Sequence, residues 1–351
     1  MRECTYAEAV REGTELCLAA DPSVYLMGLG VPDPGGIFGT TKGLREKFGP
    51  DRVMDMPIAE NGMTGVAIGS ALAGMRPILT HQRMDFLLLS MEQLANQAAK
   101  WHYTSNGKMR VPLVIRAVVG RGWGQGPQHS QSLHSWFAHI PGLKTVAPFS
   151  PADAKGLLIA AVRDDNPVVI IEHRWLHNLR GEVPEGMYEA PLGKARIVRE
   201  GSDATILAVS HMVYESLRAA KLLEEAGVSA EVIDIATLRP LDADTILKSV
   251  NKTGRVVAAD PDWGFCGFSA ELLALVCERS FGRLKAAPVR VAWPEHPLPV
   301  AAALAENFYP GPIHIAAAVM KTLGKSAPRE WTRIASAVPH DVPDLSFTGP
   351  F

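Results

Sequence analysis

The stretch DRVMDMPIAENGMTGVAIGSALAGMRPILTHQRMDFLLLS, residues 51–90, holds the reading that decides the fold. Val53 to Met56 is a short apolar run that stops at Pro57. From about Asn61 to Ala73 the residues are too many and too small-sided for a strand, and they read as a helix. The Gly74-Met75-Arg76-Pro77 turn breaks it, and Ile78 to Thr80 reads as a strand again. Helical periodicity resumes from about Phe86 to His102, and Pro112 to Val118 is a further strand. Strands that alternate with helices predict a parallel sheet covered by helices.

The pattern extends in both directions. Upstream, Thr5-Tyr6-Ala7-Glu8 is a capping box, in which a hydroxyl and a carboxylate satisfy free amides at a helix start. It predicts a helix to about Ala20, followed by a strand from Val24 to Met27. Downstream, Ala154 to Val162 reads as a helix and Val168 to Glu172 as a buried strand. From Asn178 to about Lys194 the periodicity lapses and Gly181, Pro184, Gly186 and Pro191 appear, which marks a linker. A second alternating series then begins at Thr205 and ends with helices near Ala301 and Ile315. The expectation is α/β throughout, with two doubly wound domains at 1–178 and 198–325, a linker at 179–197 and a proline-rich tail at 326–351.

Composition narrows the function. With 351 residues, 47% of them hydrophobic and 21% charged, the chain reads as soluble and globular. A net charge of -2 without a basic stripe argues against nucleic acid as a partner. Cys4, Cys17, Cys266 and Cys277 are too scattered for a zinc ribbon or a redox dithiol. The N-terminus lacks the apolar core of a signal peptide, and no apolar run is long enough to span a bilayer, so a cytoplasmic protein is expected.

Two features point to chemistry. Glu60 follows a strand and precedes a helix, where doubly wound sheets bind ligands. By itself it also fits a simple helix cap. Gly120 to Gln131 (GRGWGQGPQHSQ) is a glycine-rich loop after a strand, with neither a P-loop nor a dinucleotide fingerprint. Its functional reading is a mobile loop that delivers His129, a side chain that titrates near neutral pH, to a reacting centre. The helix after Glu60 carries Gly62, Gly65 and Gly69 among small residues. Such a run implies close approach of another backbone, either the sheet beneath it or a second subunit.

Several segments, in collinear order from about Thr5 to Leu323, resemble one family. They are Pro57-Ile58-Ala59-Glu60, Gly74 to Pro77, Met84-Asp85-Phe86, Gln97-Ala98-Ala99-Lys100, Gln128-His129-Ser130-Gln131, Pro141-Gly142-Leu143-Lys144 and Arg163 to Val168. Together they resemble the beta subunit of the thiamine diphosphate-dependent decarboxylating component of 2-oxo acid dehydrogenase complexes, of the pyruvate, branched-chain or acetoin type. The resemblance implies a pyrimidine-binding domain followed by a transketolase C-terminal-like domain. It implies that Glu60 hydrogen-bonds the aminopyrimidine ring, that Ile58 and Phe86 contact the cofactor, and that His129 acts beside the substrate. It also suggests a potassium-type cation held by oxygens of Leu113, Ala161, Asp164 and Asn166.

The family's Gly-Asp-Gly motif for the diphosphate and Mg2+ does not occur in this sequence. The resemblance therefore implies half a site, completed by an alpha subunit that carries that motif in an α2β2 assembly, with a lipoyl acyltransferase core as a further partner. His81 and Arg83 depart from the family pattern. With Gln128 they are candidate substrate contacts, and an arginine there would favour a more polar substrate. Two other readings stay open: a split carboligase or acyloin synthase that does not use lipoyl, and a non-catalytic homologue of the same fold.

Overall fold

The computed structural model describes residues 1–331 apart from Trp123 and Asn307, so nearly all of the tail expected at 326–351 lies outside the described residues. The chain opens with a strand, β1 (Arg2–Thr5), and a helix, α1 (Tyr6–Ala20). The capping box is present: the Glu8 amide donates to Thr5 Oγ1 at 3.2 Å and the Thr5 amide donates to the Glu8 carboxylate at 2.7 Å. β2 (Val24–Met27), α2 (Leu44–Phe48), β3 (Val53–Met54), α3 (Glu60–Leu72), β4 (Arg76–His81) and α4 (Met84–Leu87) follow. Next come α5 (Ala99–Thr104), β5 (Val114–Val119), α6 (His134–His139), β6 (Lys144–Val146), α7 (Pro151–Arg163) and β7 (Val168–His173).

The second half contains β8 (Arg180–Val183), β9 (Arg196–Arg199), β10 (Ala204–Ala208), α8 (His211–Glu225), β11 (Ala230–Asp234) and β12 (Thr237–Arg239). It continues with α9 (Ala243–Thr253), β13 (Val256–Trp263), α10 (Phe268–Ser280), β14 (Val289–Trp293), α11 (Ala302–Ala305) and α12 (Pro312–Thr322). The strands form a seven-stranded sheet in the order β12-β6-β7-β5-β4-β2-β3 and a five-stranded sheet in the order β14-β13-β10-β11-β9. Within the first, β2 to β7 run parallel and β12 is antiparallel to β6. The larger sheet is thus completed by a strand from the second half of the chain, and residues of both halves, such as Leu79, Leu238 and Ile246, share one core.

The central strands are buried on both faces, which explains why β5 (VIRAVV) and β7 (VVIIEH) read as near-continuous apolar runs. Their two charged members neutralise each other. Arg116 grips Glu172 with Nε at 2.6 Å and one terminal nitrogen at 3.0 Å, and both side chains are buried.

Two expectations need correction. The helix expected from Phe86 to His102 is broken into α4, a 3-10 turn at Leu88–Ser90, a π-helical stretch at Gln93–Ala98 and α5. One cause is polar anchoring: Ser90 Oγ donates back to the Glu60 carbonyl at 3.1 Å and lies 2.8 Å from Thr64 Oγ1. The segment expected as a linker contains β8, which pairs antiparallel with β1, and the start of β9, which edges the second sheet. Both are short and polar on their exposed side, so neither leaves an apolar period in the sequence.

In the larger sheet the chain passes from β2 outward to β3, then crosses back to β4 on the other side. This is the switch point at which such sheets open a crevice beyond the strand ends. A side chain at Gly28, just past β2, would collide with the carbonyl oxygen of Thr80 in β4. The segments 28–30, 55–60 and 81–86 follow the strand ends at this switch point, and the Gly30 amide donates to Asp55 Oδ1 at 2.9 Å.

Candidate active site

Glu60 opens α3 and is buried, with 7% of its surface exposed. The helix start places free amides and positive potential beside a carboxylate. Its main-chain oxygen accepts from Thr64 Oγ1 at 2.7 Å and from Ser90 Oγ, which ties the first turn of α3 to the turn that follows Phe86. Among the described residues no group is hydrogen-bonded to the Glu60 carboxylate itself, so its oxygens remain available to a ligand.

Phe86 lies in α4 and is 39% exposed, too open for a core residue. Its ring meets His129 edge to face, with centroids 5.4 Å apart. The structure thus brings together Phe86 and His129, two residues that lie 43 positions apart (129 minus 86). His129 and the neighbouring Gln128 are exposed on the glycine loop. Gly122, Gly124 and Gly126 all take positive φ, between 69° and 71°. Gly120 serves a different need: a side chain there would run into the His129 carbonyl oxygen. The loop is a tight return that presents its histidine outward.

Asp85 was legible only as part of the Met84-Asp85-Phe86 segment, yet it holds the loop. Its Oδ1 accepts from the Gln131 side chain at 2.9 Å and from the Gln131 amide at 3.2 Å. Burial raises its pKa against those bonds, and Oδ2 is buried without a partner. Unpartnered buried polar atoms recur nearby at Thr80 Oγ1, His81 Nε2, Arg83 Nε and Ser130 Oγ. Such orphans occur elsewhere in the chain as well, and these lie in the segments next to Phe86 and His129, where a ligand could satisfy them.

His81 sits at the end of β4, and burial pushes its pKa down to about 4, so it is neutral near pH 7. Arg83 is half-buried and makes no ion pair with a carboxylate among the described residues. Its guanidinium lies 4.9 Å from the centre of the Phe38 ring and donates to the Gln82 carbonyl at 2.9 Å. Arg174 approaches the same ring at 4.6 Å, and burial together with the charge of Arg83 lowers its pKa to about 10.

Ile58 is 78% exposed, and α3 turns an open stripe in the same manner. Asn61, Gly62, Gly65, Val66 and Gly69 are exposed, and a side chain added at any of the three glycines would meet nothing within 4 Å. Packing onto the sheet beneath therefore does not explain these glycines. The oxygens named for a cation are engaged: the Leu113 carbonyl accepts from Val168, the Ala161 carbonyl from Asp164, and the Asp164 carboxylate binds Lys144 and the Asn166 amide. Arg76 bonds the Asp164 carbonyl at 3.1 Å, so positive charge is already supplied there by protein.

The residues fit the aminopyrimidine half of thiamine diphosphate: a buried carboxylate, an open aromatic face and unpartnered polar atoms. They do not include a carboxylate set for its magnesium. Among the described residues the metal-competent cluster is His134, Asp260 and Asp262, which bond one another or nearby serines instead.

Sequence comparison places this two-domain α/β protein, with its buried carboxylate opening the helix at the switch point, in the transketolase class. The sequence matches the transketolase pyrimidine-binding domain over residues 2–178 and the transketolase C-terminal domain over residues 193–315. Among solved structures, a split-gene transketolase described as an inactive beta4 tetramer superimposes with a TM-score of 0.75 over 92% of this chain and 99% of that one. Its identity of 23% makes this a likeness of fold alone.

Curated relatives are more specific. The beta subunit of acetoin:2,6-dichlorophenolindophenol oxidoreductase of Cupriavidus necator is 43% identical over 332 residues, covering 92% of this chain and 98% of that one. The pyruvate dehydrogenase E1 component subunit beta of Rickettsia bellii is 40% identical over 319 residues, covering 91% and 98%. A mitochondrial beta subunit of the same enzyme from Oryza sativa is 41% identical over 331 residues, covering 93% and 88%. The chain belongs to this transketolase-like family of E1 beta subunits. Among the described residues no helix is long and apolar enough to cross a membrane.

Proposed function

We propose that the protein is the beta subunit of a thiamine diphosphate-dependent 2-oxo acid dehydrogenase of the decarboxylating type, active only with an alpha subunit. The relatives named above are beta subunits of pyruvate- and acetoin-oxidising enzymes, and the full-length match to them supports the same class here. The observation that carries the reading is Glu60, buried at the positive end of α3 with a carboxylate that no described residue engages. When bound, thiamine diphosphate supplies the electron sink that lets carbon dioxide leave a 2-oxo acid.

The chain's own residues bind and orient. Glu60 shares a proton with a ring nitrogen of the aminopyrimidine, a task suited to a carboxyl group in a dry setting. Phe86 offers its face to the ring, with Ile58 alongside. His129 gives or takes a proton at the reacting centre, at the tip of a loop fixed by Asp85. The diphosphate and Mg2+ fall to the alpha subunit through its Gly-Asp-Gly motif, in an α2β2 assembly. The acyl product passes to a lipoyl group on an acyltransferase core. The glycine stripe of α3 suits that arrangement, since an open small-residue helix face lets a second backbone come close. A monovalent cation at Leu113, Ala161, Asp164 and Asn166 would be structural, and it would share oxygens of the first three that already accept hydrogen bonds. No observation favours the lipoyl-independent carboligase or the non-catalytic homologue.

The test is co-purification with the alpha partner, then 2-oxo acid-driven reduction of 2,6-dichlorophenolindophenol by wild type and Glu60→Gln. The variant should lose activity by about 100-fold or more while still assembling. Full activity in Glu60→Gln, or turnover and tight cofactor binding by the beta chain without a partner, would sink the proposal.

A further inference from the structure

The loop that carries His129 is held from both domains. On one side Asp85 takes the two Gln131 bonds, and the Leu133 amide points at Met84 Sδ at 3.1 Å. On the other side the segment enters α6, and its first residue, His134, crosses to the second sheet. His134 Nε2 lies 2.8 Å from Asp260 Oδ1, and its Nδ1 lies 3.0 Å from Ser132 Oγ. All three side chains are buried.

Asp260 is itself locked. Its Oδ2 accepts from the Ser269 amide at 2.7 Å, in the first turn of α10. The turn between β13 and α10 closes tightly enough that any side chain at Gly267 would strike the Trp263 carbonyl. One residue beyond His134, Ser135 Oγ donates to Asp262 Oδ2 at 2.7 Å. Burial lowers the tendency of His134 to ionise, but the carboxylates of Asp260 and Asp262 outweigh it and raise its pKa, which favours a charged donor across the boundary. A hydrogen bond between two fixed, buried groups sets a distance and an orientation, which loose apolar packing does not.

We propose that His134 and Asp260 form a clasp between the two domains that positions the His129 segment for the reaction, with Ser135 and Asp262 as its second bond. The inference rests on the proposed role of His129. Neither residue touches the reacting centre, so both are positioning residues. Loosening the clasp should displace His129 relative to Phe86 while leaving the Glu60 side of the crevice intact. The expected signature is a fall in kcat with KM and cofactor affinity preserved.

The experiment uses the assembled enzyme with its alpha partner. Variants His134→Ala, Asp260→Asn, His129→Ala and the double variant His134→Ala/His129→Ala are compared for kcat, KM, thiamine diphosphate affinity and thermal midpoint. His134→Ala should lower kcat roughly 10- to 100-fold, because small misplacements of a reacting group cost that much, with KM changed less than about two-fold. In the His129→Ala background the same change should cost almost nothing, since coupled groups are non-additive. His134→Gln, which keeps a donor for Asp260, should recover part of the loss, and Asp260→Asn carries the test if the alanine variant does not assemble. The clasp is overturned if His134→Ala and Asp260→Asn keep their kcat, or if the loss adds in full to that of His129→Ala. A fully active His129→Ala enzyme would instead overturn the role given to that histidine, a separate failure.

Discussion

A side chain placed on Gly120 would be driven into the main-chain oxygen of His129, so the start of the loop and His129 are packed backbone to backbone. Gly120 follows β5 directly, which makes the last rigid residue of the sheet the support for His129. Gly120→Ala should therefore lower kcat by about 10-fold or more, with cofactor affinity unchanged, because a shift of even 1 Å at a reacting group is expensive. Gly124→Ala is the comparison. That glycine has φ of 69° but is exposed and meets only Val300, at 3.7 Å, so its cost should be the strain of about 1–2 kcal/mol with a smaller kinetic effect. Steady-state kinetics on the two variants check this, and equal rates for both would remove the special status of Gly120.

The open stripe of α3 predicts where association can be broken. Val66 is 56% exposed between Gly62, Gly65 and Gly69. Val66→Asp would place an unpaired charge in a closely packed interface, which costs about 2–5 kcal/mol there and almost nothing on a free surface. The beta chain should keep its thermal midpoint and lose co-elution with its partner on size exclusion. An assembly that survives this substitution would move the interface elsewhere.

The alternation of strands and helices, the switch-point position of Glu60 and the Gly120 to Gln131 loop were legible because each writes a local pattern: a period, a break or a run of glycine. What stayed hidden was what other parts of the chain impose. The π-helical stretch at Gln93–Ala98 follows a helical period that sequence reads as one straight helix. β1 and β8 exist only because they pair with each other, across more than 170 positions. Asp85 looks like an ordinary acid until Gln131 is found on it, and His134 looks idle until the second sheet brings Asp260 to within 2.8 Å. The family resemblance suggested the roles proposed for Glu60 and His129. The long-range partners that hold them had no signal a single sequence could display.

Arg83 offers a test of substrate choice. It and Arg174 flank Phe38 at 4.9 and 4.6 Å, two cations on one ring beside the neutral His81. Methionine at position 83 keeps the length of the side chain and its contact with the ring while removing the charge. If Arg83 reads a substrate carboxylate, Arg83→Met should raise KM by about 10-fold for a 2-oxo acid with a second carboxylate and leave pyruvate within about two-fold. Ranking candidate acids by kcat/KM on both enzymes decides it, and an unchanged ranking assigns Arg83 to Phe38 alone.

Acid should weaken the fold in two separate windows. Burial lowers the pKa of His81 to about 4, and it holds His173 and His211, whose rings stack 4.6 Å apart, well below the ordinary value of 6.5. Unfolding frees these histidines to take protons, so their contribution is intact above pH 6.5 and shrinks as pH falls below it. Glu172 acts at lower pH. Burial opposes its charge, but Arg116 and His177 win, and its pKa falls from 4.5 to about 2. Its contribution, on the order of 3 kcal/mol, is present above pH 4.5 and disappears as pH drops towards 2. Urea midpoints measured from pH 7.5 to 3 should decline first below pH 6.5 and again below 4.5. His81→Met should make the first decline shallower, since His173 and His211 still feed it, and leave the second. Glu172→Gln should weaken the second, to which Glu8, Glu15 and Asp21 also contribute, and cost about 3–5 kcal/mol at neutral pH, because it strands Arg116 without its partner. A midpoint that stays level from pH 7 to 5 in the wild type would mean that these histidines gain water or partners in the assembled protein.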